Sequence, residues 1–364
     1  MTGIYIHIPF CASRCIYCGF YSTVNKRLSQ QYIDAVCREM TMRKTADTIS
    51  TIYLGGGTPS QLSIMQLRQL LKTLYNIYKV SNNAEVTIEV NPDDVTRDYA
   101  QALSALPINR ISMGVQTFDR ERLLYLRRRH TPQQVYQAIE WLRKAGFENI
   151  SIDLMYGFPS ETVDDWQRDT DAAIALGAEH ISAYCLTIEE GTPLHLMNTE
   201  AADEETERQM YYELIDRLAA AGYEHYEISN FARTGYRSRH NSSYWTDVPY
   251  IGLGAAAHSY DGKHRRWNPD SLLQYINGID NGQQTFEEEF IDSMTRYNDR
   301  IMLALRTAEG IDLETLSADD RAYLLDNARK HVVQGLLTLK GNRLCLSRDG
   351  LFVSNMVTSD LMKI

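Results

Sequence analysis

The chain has 364 residues, 44% hydrophobic and 23% charged, with a formal net charge of −10, long enough to bury one large core and a small second one. The acidic balance argues against broad nucleic-acid binding, which needs a basic footprint; no run approaches the ~20 apolar residues of a membrane span, and the N-terminus lacks the basic and apolar segments of a secretory signal. A cytoplasmic location is expected, and the scattered Cys37, Cys185 and Cys345 suit a reducing compartment rather than a disulfide framework.

The first β-branched run, over residues 3–9, reads as a strand and leads into Cys11-x3-Cys15-x2-Cys18. Three thiolates with no fourth cysteine nearby can hold three corners of a cubane [4Fe-4S] cluster and leave one iron open to a non-protein ligand. The alternative at this point is structural zinc, with His7 completing a Cys3His set. Further strands are expected over residues 51–55, 85–90, 110–115, 149–156 and 180–186. Helical stripes separate them. Ile33, Val36, Cys37 and Met40, then Leu67, Leu70, Leu71 and Leu74, fall at i, i+3, i+4, i+7, while Met210, Leu214 and Leu218 repeat every four residues. Ser63 with Gln66, and Thr131 with Pro132 and Gln134, read as capping boxes at helix starts. Six βα units imply a parallel sheet, either open and doubly wound or curved into a (β/α) barrel.

The polar residues choose the barrel. Cys11, the Gly55-Gly56-Gly57 triplet, Glu89, Gln116, Asp153 and Thr187 each fall at or just past the C-terminal end of a different strand, the functional face of such a barrel. A strand end needs only a turn, so six polar or glycine deliveries to one rim point to one shared site. The glycines, followed by Thr58-Pro59, let backbone groups approach a ligand closely. Glu89, within Ile88-Glu89-Val90-Asn91-Pro92, is costly to bury unpaired. Together with Gln116, Asp153 and Arg128 it forms a set suited to a ligand carrying a carboxylate, an amine and hydroxyls.

The cysteine spacing resembles the signature of the radical S-adenosylmethionine (SAM) superfamily, in which the open iron chelates the amino and carboxylate groups of SAM. Tyr5-Ile6-His7-Ile8-Pro9-Phe10-Cys11 and residues 55–59, 112–118 and 152–159 are similar to the oxygen-independent coproporphyrinogen III oxidase family within it, over essentially the whole chain. The resemblance implies an α/β fold, a partial (β/α)6 radical SAM barrel with a small C-terminal winged-helix-like domain. It further implies a [4Fe-4S] cluster on Cys11, Cys15 and Cys18, Tyr5 and Tyr17 beside cluster and SAM, and SAM binding by Gly56, Gly57, Thr58, Glu89, Gln116, Arg128 and Asp153. Zinc predicts none of these downstream motifs.

Two departures bear on function. The oxidase family has an additional cysteine where this chain has Phe20, and an N-terminal extension where this chain begins its first strand almost at Met1. With His240-Asn241-x-x-Tyr244-Trp245, these features resemble the HemW-type heme chaperones. That resemblance implies bound heme, with His240 as a candidate axial ligand and Tyr244 and Trp245 packing on the macrocycle. Arg233, Arg237, Arg239, Lys263, Arg265 and Arg266 are candidates to pair with two propionates. The implied partners are heme-acceptor proteins, membrane-associated respiratory proteins among them; the alternative is SAM-dependent oxidative decarboxylation of coproporphyrinogen III.

Beyond about residue 286 the stripes Ile301, Leu305 and Leu324, Leu325, Ala328 precede a hairpin-like stretch around Gly341-Asn342. The expected organisation is a barrel core over 1–230, a heme-motif connecting segment over 231–285 and the winged-helix-like domain over 286–364. From residue 286 there are ten Lys plus Arg against thirteen Asp plus Glu, the wrong sign for DNA. A lid or a protein-contact surface is expected.

Overall fold

In a computed structural model, which describes residues 2–283 and 286–364, the βα alternation builds one twelve-stranded sheet. Its strands β1 (Thr2–Ile8), β2 (Thr48–Gly56), β3 (Lys79–Val90), β4 (Arg110–Gln116), β5 (Ile150–Tyr156) and β6 (His180–Cys185) pair in that order, all parallel. Helices α1 (Ser29–Met42), α2 (Ile64–Ile77), α3 (Arg97–Leu103), α4 (Arg120–Tyr125), α5 (Pro132–Lys144) and α6 (Val163–Leu176) make the crossovers. All six expected strands form. The Ser63 capping box is present at α2, with Gln66 N–H donating to Ser63 Oγ and Ser63 N–H to Gln66 Oε1.

A short α7 (Pro193–Leu196) and a long α8 (Glu204–Ala220) lead to β7 (Glu224–Glu227) and β8 (Asn230–Ala232), antiparallel at one edge. After α9 (Arg239–Tyr244), β9 (Tyr250–Leu253) returns to pair parallel with β1. Strands β10 (His258–Tyr260), β11 (His264–Trp267) and, after α10 (Leu272–Asp280), β12 (Glu287–Phe290) extend that side antiparallel. Among the described residues β12 and β7 form no pair, so the barrel is incomplete. The sequence pattern misses β7 to β12 because three or four residues carry too few alternations to register.

Each core strand alternates between two environments. Ile4, Ile6 and Ile8 of β1, Val86 and Ile88 of β3, and Ile111, Met113 and Val115 of β4 belong to the apolar layer under the helices. The intervening residues line the barrel interior: Tyr5 and His7, Thr87 and Glu89, Arg110 and Ser112. Registry carries the same phase across the sheet, Glu89 opposite Ser112, Ser112 opposite Ser151 and Ser151 opposite His180. The helix side supplies the hydrophobic stability, and the inner side is polar.

A second core unites Tyr297, Ile301, Leu305, Leu324 and Val357. It joins α11 (Ser293–Ala304), β13 (Ile311–Asp312), α12 (Ala318–Val333), β14 (Leu337–Lys340), β15 (Arg343–Leu346), α13 (Arg348–Phe352) and α14 (Ser354–Leu361), with a small antiparallel sheet in the order β13-β15-β14. Gly341, at φ 60°, turns the β14–β15 hairpin, as a winged-helix-like unit requires. This unit covers the outer edge of β7: Ile228 N–H donates to Arg306 O at 2.9 Å, and Ala308 N–H to Tyr226 O at 3.0 Å. The expected boundary at 285 falls on residues 284 and 285, which lie outside the described residues.

The return of β9 to β1 is fixed by one buried carboxylate. Glu39 on α1 accepts from Gly254 N–H (2.8 Å), Asn268 Nδ2 (2.8 Å) and Tyr275 Oη (2.7 Å), tying α1 to the turn after β9 and to α10. Glu39→Ala removes the acceptor of three buried donors, of which Asn268 Nδ2 keeps a second bond to Gly254 O at 2.9 Å. It is expected to lower unfolding free energy by about 3 kcal/mol, and Tyr275→Phe by about 1 kcal/mol, both read from urea denaturation midpoints.

Candidate metal and cofactor site

Parallel pairing of β1 and β2 brings two loops together. His7 lies opposite Gly55 and Ile8 opposite Gly56, and Gly57 N–H donates to Ile8 O at 2.9 Å. A Cβ at Gly57 would stand 2.8 Å from the Pro9 carbonyl carbon and 3.0 Å from Cys11 Sγ. Gly56 has φ 112°, and a Cβ there would meet the His7 ring at 2.5 Å. Glycine is therefore required at both positions so that the second loop can lie against the cysteine loop.

A cavity of roughly 740 Å³ opens where the strands end, within the range of small-molecule sites. Cys11, Cys15, Cys18 and Tyr17 line one side, and Gly56, Gly57, Thr58, Glu89, Gln116, Arg128, Asp153 and Thr187 line the rest. The strand-end residues singled out in the sequence thus meet in one space. Tyr184 and Cys185 also line it; they were missed because only the strand's final phase shows which of its residues turn inward. Phe20 lies at the mouth, 70% exposed. Tyr5 is not on the cavity wall; its ring packs beside Tyr53 and its hydroxyl meets His7 Nδ1 at 3.1 Å.

The wall is built with some strain. Gln116 holds φ 69°, an uncommon conformation for a non-glycine residue. The next turn fixes it: Thr117 N–H donates to Val115 O at 3.0 Å, Phe118 N–H to the buried Asp169 at 3.0 Å, and Thr117 Oγ1 to the same carboxylate. Arg128 donates from Nη2 to Asn91 Oδ1 at 2.8 Å and to Gly114 O, and its Nη1 lies 3.7 Å from Cys15 Sγ. Its buried Nε has no partner, leaving donor capacity for an anionic ligand.

The donor set fits an iron–sulfur cluster better than zinc. All three cysteines are free thiols, and burial pushes Cys11 and Cys18 up. Both His7 nitrogens are engaged, Nδ1 with Tyr5 Oη and Nε2 with Tyr21 O at 3.0 Å. Among the described residues no three Cys, His, Asp or Glu side chains converge as a single ion requires, whereas a cubane accepts sulfurs spread over its corners.

Two carboxylates face the cofactor space. Burial raises Glu89 to about 7, opposed by the Tyr53 hydroxyl at 2.8 Å and Gly56 N–H at 3.1 Å. Burial likewise raises Asp153 to about 6, opposed by Ser182 and Arg110. Each is held poised for a cationic or hydroxyl-bearing ligand.

Comparison with known proteins agrees with this geometry. Residues 5–173 match the model of the radical SAM superfamily, and residues 291–353 that of the HemN C-terminal domain. The chain is 35% identical over 321 residues to the heme chaperone HemW of Bacillus subtilis, covering 85% of both chains. It is 33% identical over 374 residues to HemW of Mycobacterium tuberculosis, covering 99% of this chain and 94% of that one. The chain belongs to the HemW family. Its fold matches that of coproporphyrinogen III oxidase (HemN) from Escherichia coli with a TM-score of 0.88 at 22% identity, over 100% of this chain and 90% of the other.

In this member of the HemW family, the His-Asn-x-x-Tyr-Trp motif is not an open ligand. His240 is 1% exposed; Nδ1 meets Thr51 Oγ1 at 2.9 Å and Nε2 meets Tyr244 Oη at 2.8 Å. An axial ligand needs a free nitrogen lone pair and an open face, so the expected role of His240 at heme iron requires Thr51 or Tyr244 to move away from the ring. Tyr244 packs edge-on against His240 and Tyr250, and Trp245 lies under the Arg306 guanidinium at 5.0 Å. Five of the expected propionate-binding cations are engaged with other groups of the chain. Arg237 pairs with Glu224 and Glu309, Arg265 with Asp299, and Arg266 with Glu288; Arg233 lies over the Tyr223 ring and Arg239 donates to Asn83 O at 2.6 Å. Glu309, Asp299 and Asn83 come from distant segments that a local reading does not bring together.

A carboxylate whose value is raised on folding stabilises the fold below its unfolded value and loses that contribution as pH rises through the folded one. For Glu89 the window runs from the ordinary carboxylate value of 4.5 to about 7. Glu89→Gln is therefore expected to make the cofactor-free protein about 3 kcal/mol more stable than wild type at pH 8, with the difference gone at pH 4, as read by thermal unfolding at the two pH values.

Proposed function

We propose that the chain holds a [4Fe-4S] cluster on Cys11, Cys15 and Cys18, binds SAM in the adjoining cavity, takes up heme and passes it to acceptor proteins in the cytoplasm. The observation that carries this reading is the convergence of three free thiols with Gly57, Glu89, Arg128 and Asp153 on one cavity. The names of the HemW relatives support the heme-chaperone part.

When bound, the cluster would supply the electron that cleaves the SAM sulfonium. The chain's own residues hold the ligand. Gly57 leaves space beside Cys11, and Arg128 supplies a positive charge next to Cys15 for the SAM carboxylate. Glu89 and Asp153 accept from the amine or from ribose hydroxyls. Phe20 places an apolar ring at the mouth where the oxidase family has a thiol, so decarboxylation of coproporphyrinogen is the disfavoured reading; the fold likeness to HemN does not bear on it.

Anaerobic reconstitution tests the proposal. Wild type is expected to show iron–sulfur charge-transfer absorption, to bind SAM and heme, and to release heme to a heme-free acceptor without consuming coproporphyrinogen. Cys15→Ser should lose the cluster absorption, and Arg128→Ala should weaken SAM binding by roughly ten- to a hundredfold with the cluster retained. Coproporphyrinogen turnover by wild type would reverse the choice between the two readings.

A further inference from the structure

The His-Asn-x-x-Tyr-Trp motif closes the end of the barrel opposite the cysteines. His240 N–H donates to Glu85 at 2.9 Å, and its ring lies beside Thr51 and the start of β1 at Gly3. Thr51 precedes Gly55 by four residues of β2, a separation of about 13 Å along a strand. Between the two ends stands Tyr53, 8% exposed. The His240 ring stacks with it at 5.1 Å and 25°, and the Tyr5 ring at 6.2 Å and 26°. Its hydroxyl, on the cavity side, donates to Glu89 at 2.8 Å.

We propose that His240 and Tyr244 are positioning residues for the SAM site, acting through Tyr53 to hold the Glu89 carboxylate in place. This rests on the reading that SAM occupies the cavity. The physical basis is a chain of fixed groups. Thr51 and Tyr244 engage both ring nitrogens of His240, Glu85 anchors its backbone, and the imidazole is kept neutral by burial, which lowers it to about 3. A neutral, immobile ring against Tyr53 prevents that phenol from turning. The phenol in turn supplies one of two hydrogen bonds that orient Glu89, the other coming from Gly56 N–H. Burial dominates the ionisation of Glu89, modulated by Tyr53 on β2, Asp153 on β5, Gly56 N–H and Arg110 on β4, and Glu89 in turn acts on Tyr5 of β1 and Tyr244 of α9.

The test compares SAM binding and heme binding in cluster-loaded wild type, His240→Ala, His240→Phe and Tyr53→Phe, by calorimetry and visible spectra across pH 5–9 (about the range that brackets Glu89). His240→Ala opens a void beside Tyr53, and Tyr53→Phe deletes the hydrogen bond. Each is expected to weaken SAM binding by about tenfold and to move the midpoint of its pH dependence upward, because the phenol hydrogen bond favours the carboxylate. His240→Phe restores the stacked ring and should recover most of the affinity. The heme spectrum should be the same in all four proteins.

SAM affinity and midpoint unchanged in both His240→Ala and Tyr53→Phe overturn the inference alone. A heme spectrum lost equally in His240→Ala and His240→Phe, with SAM binding intact, also overturns it and returns His240 to the iron. Wild type that takes up the cluster but not SAM overturns the underlying reading. Tyr53→Phe removes a single oxygen, so it carries the test if His240→Ala does not fold.

Discussion

Parallel pairing of β1 with β2 is the interaction on which the rest of the site depends. It fixes Ile8 against Gly56 and lets Gly57 N–H reach Ile8 O, so the loop that carries the thiols and the loop that carries the glycines leave the sheet side by side. A slip of one residue would turn the inner face of β1 outward, sending Tyr5 and His7 into the apolar layer and Ile6 into the barrel. Register is held by that penalty. The aliphatic layer therefore does more than stabilise: it determines which residue stands next to which at the rim.

The inner face is the costly side of this arrangement. Glu85, Glu89 and Asp153 share the interior with Arg110, which is 1% exposed and leaves Nε and Nη1 without partners. Burial of such charges is rarely favourable on its own account. His180, bonded to Ser151 and Tyr226, and His240 are both pushed toward the neutral form, so they add no further positive charge. Stability is supplied on the helix side, and the interior is left free for electrostatics directed at a polar cofactor.

The rim was legible in the sequence because a βα unit announces the end of its strand, and Cys11, Glu89, Gln116 and Asp153 each stand at one. The barrel interior was not. Tyr53 and Arg110 look like ordinary strand residues until sheet curvature shows that their phase faces inward. The surroundings of His240 are hidden for a related reason: nothing local reveals that α9 plugs the opposite end of the barrel or that Thr51, some 190 positions earlier in the numbering, occupies one ring nitrogen. The pairing of Arg237, Arg265 and Arg266 is hidden in the same way, since Glu309, Asp299 and Glu288 belong to later segments.

The place of β9 beside β1 has a consequence for biosynthesis. One flank of the first strand, from Gly3 to Ile6, waits for residues 250–253 as its partner, which leave the ribosome on the order of ten seconds to a minute later. Throughout that interval the strand leading into the cysteine loop has an unsatisfied backbone edge. Iron delivered to the nascent chain would meet thiols on an unfinished scaffold, so metallation is best timed after translation has passed this segment.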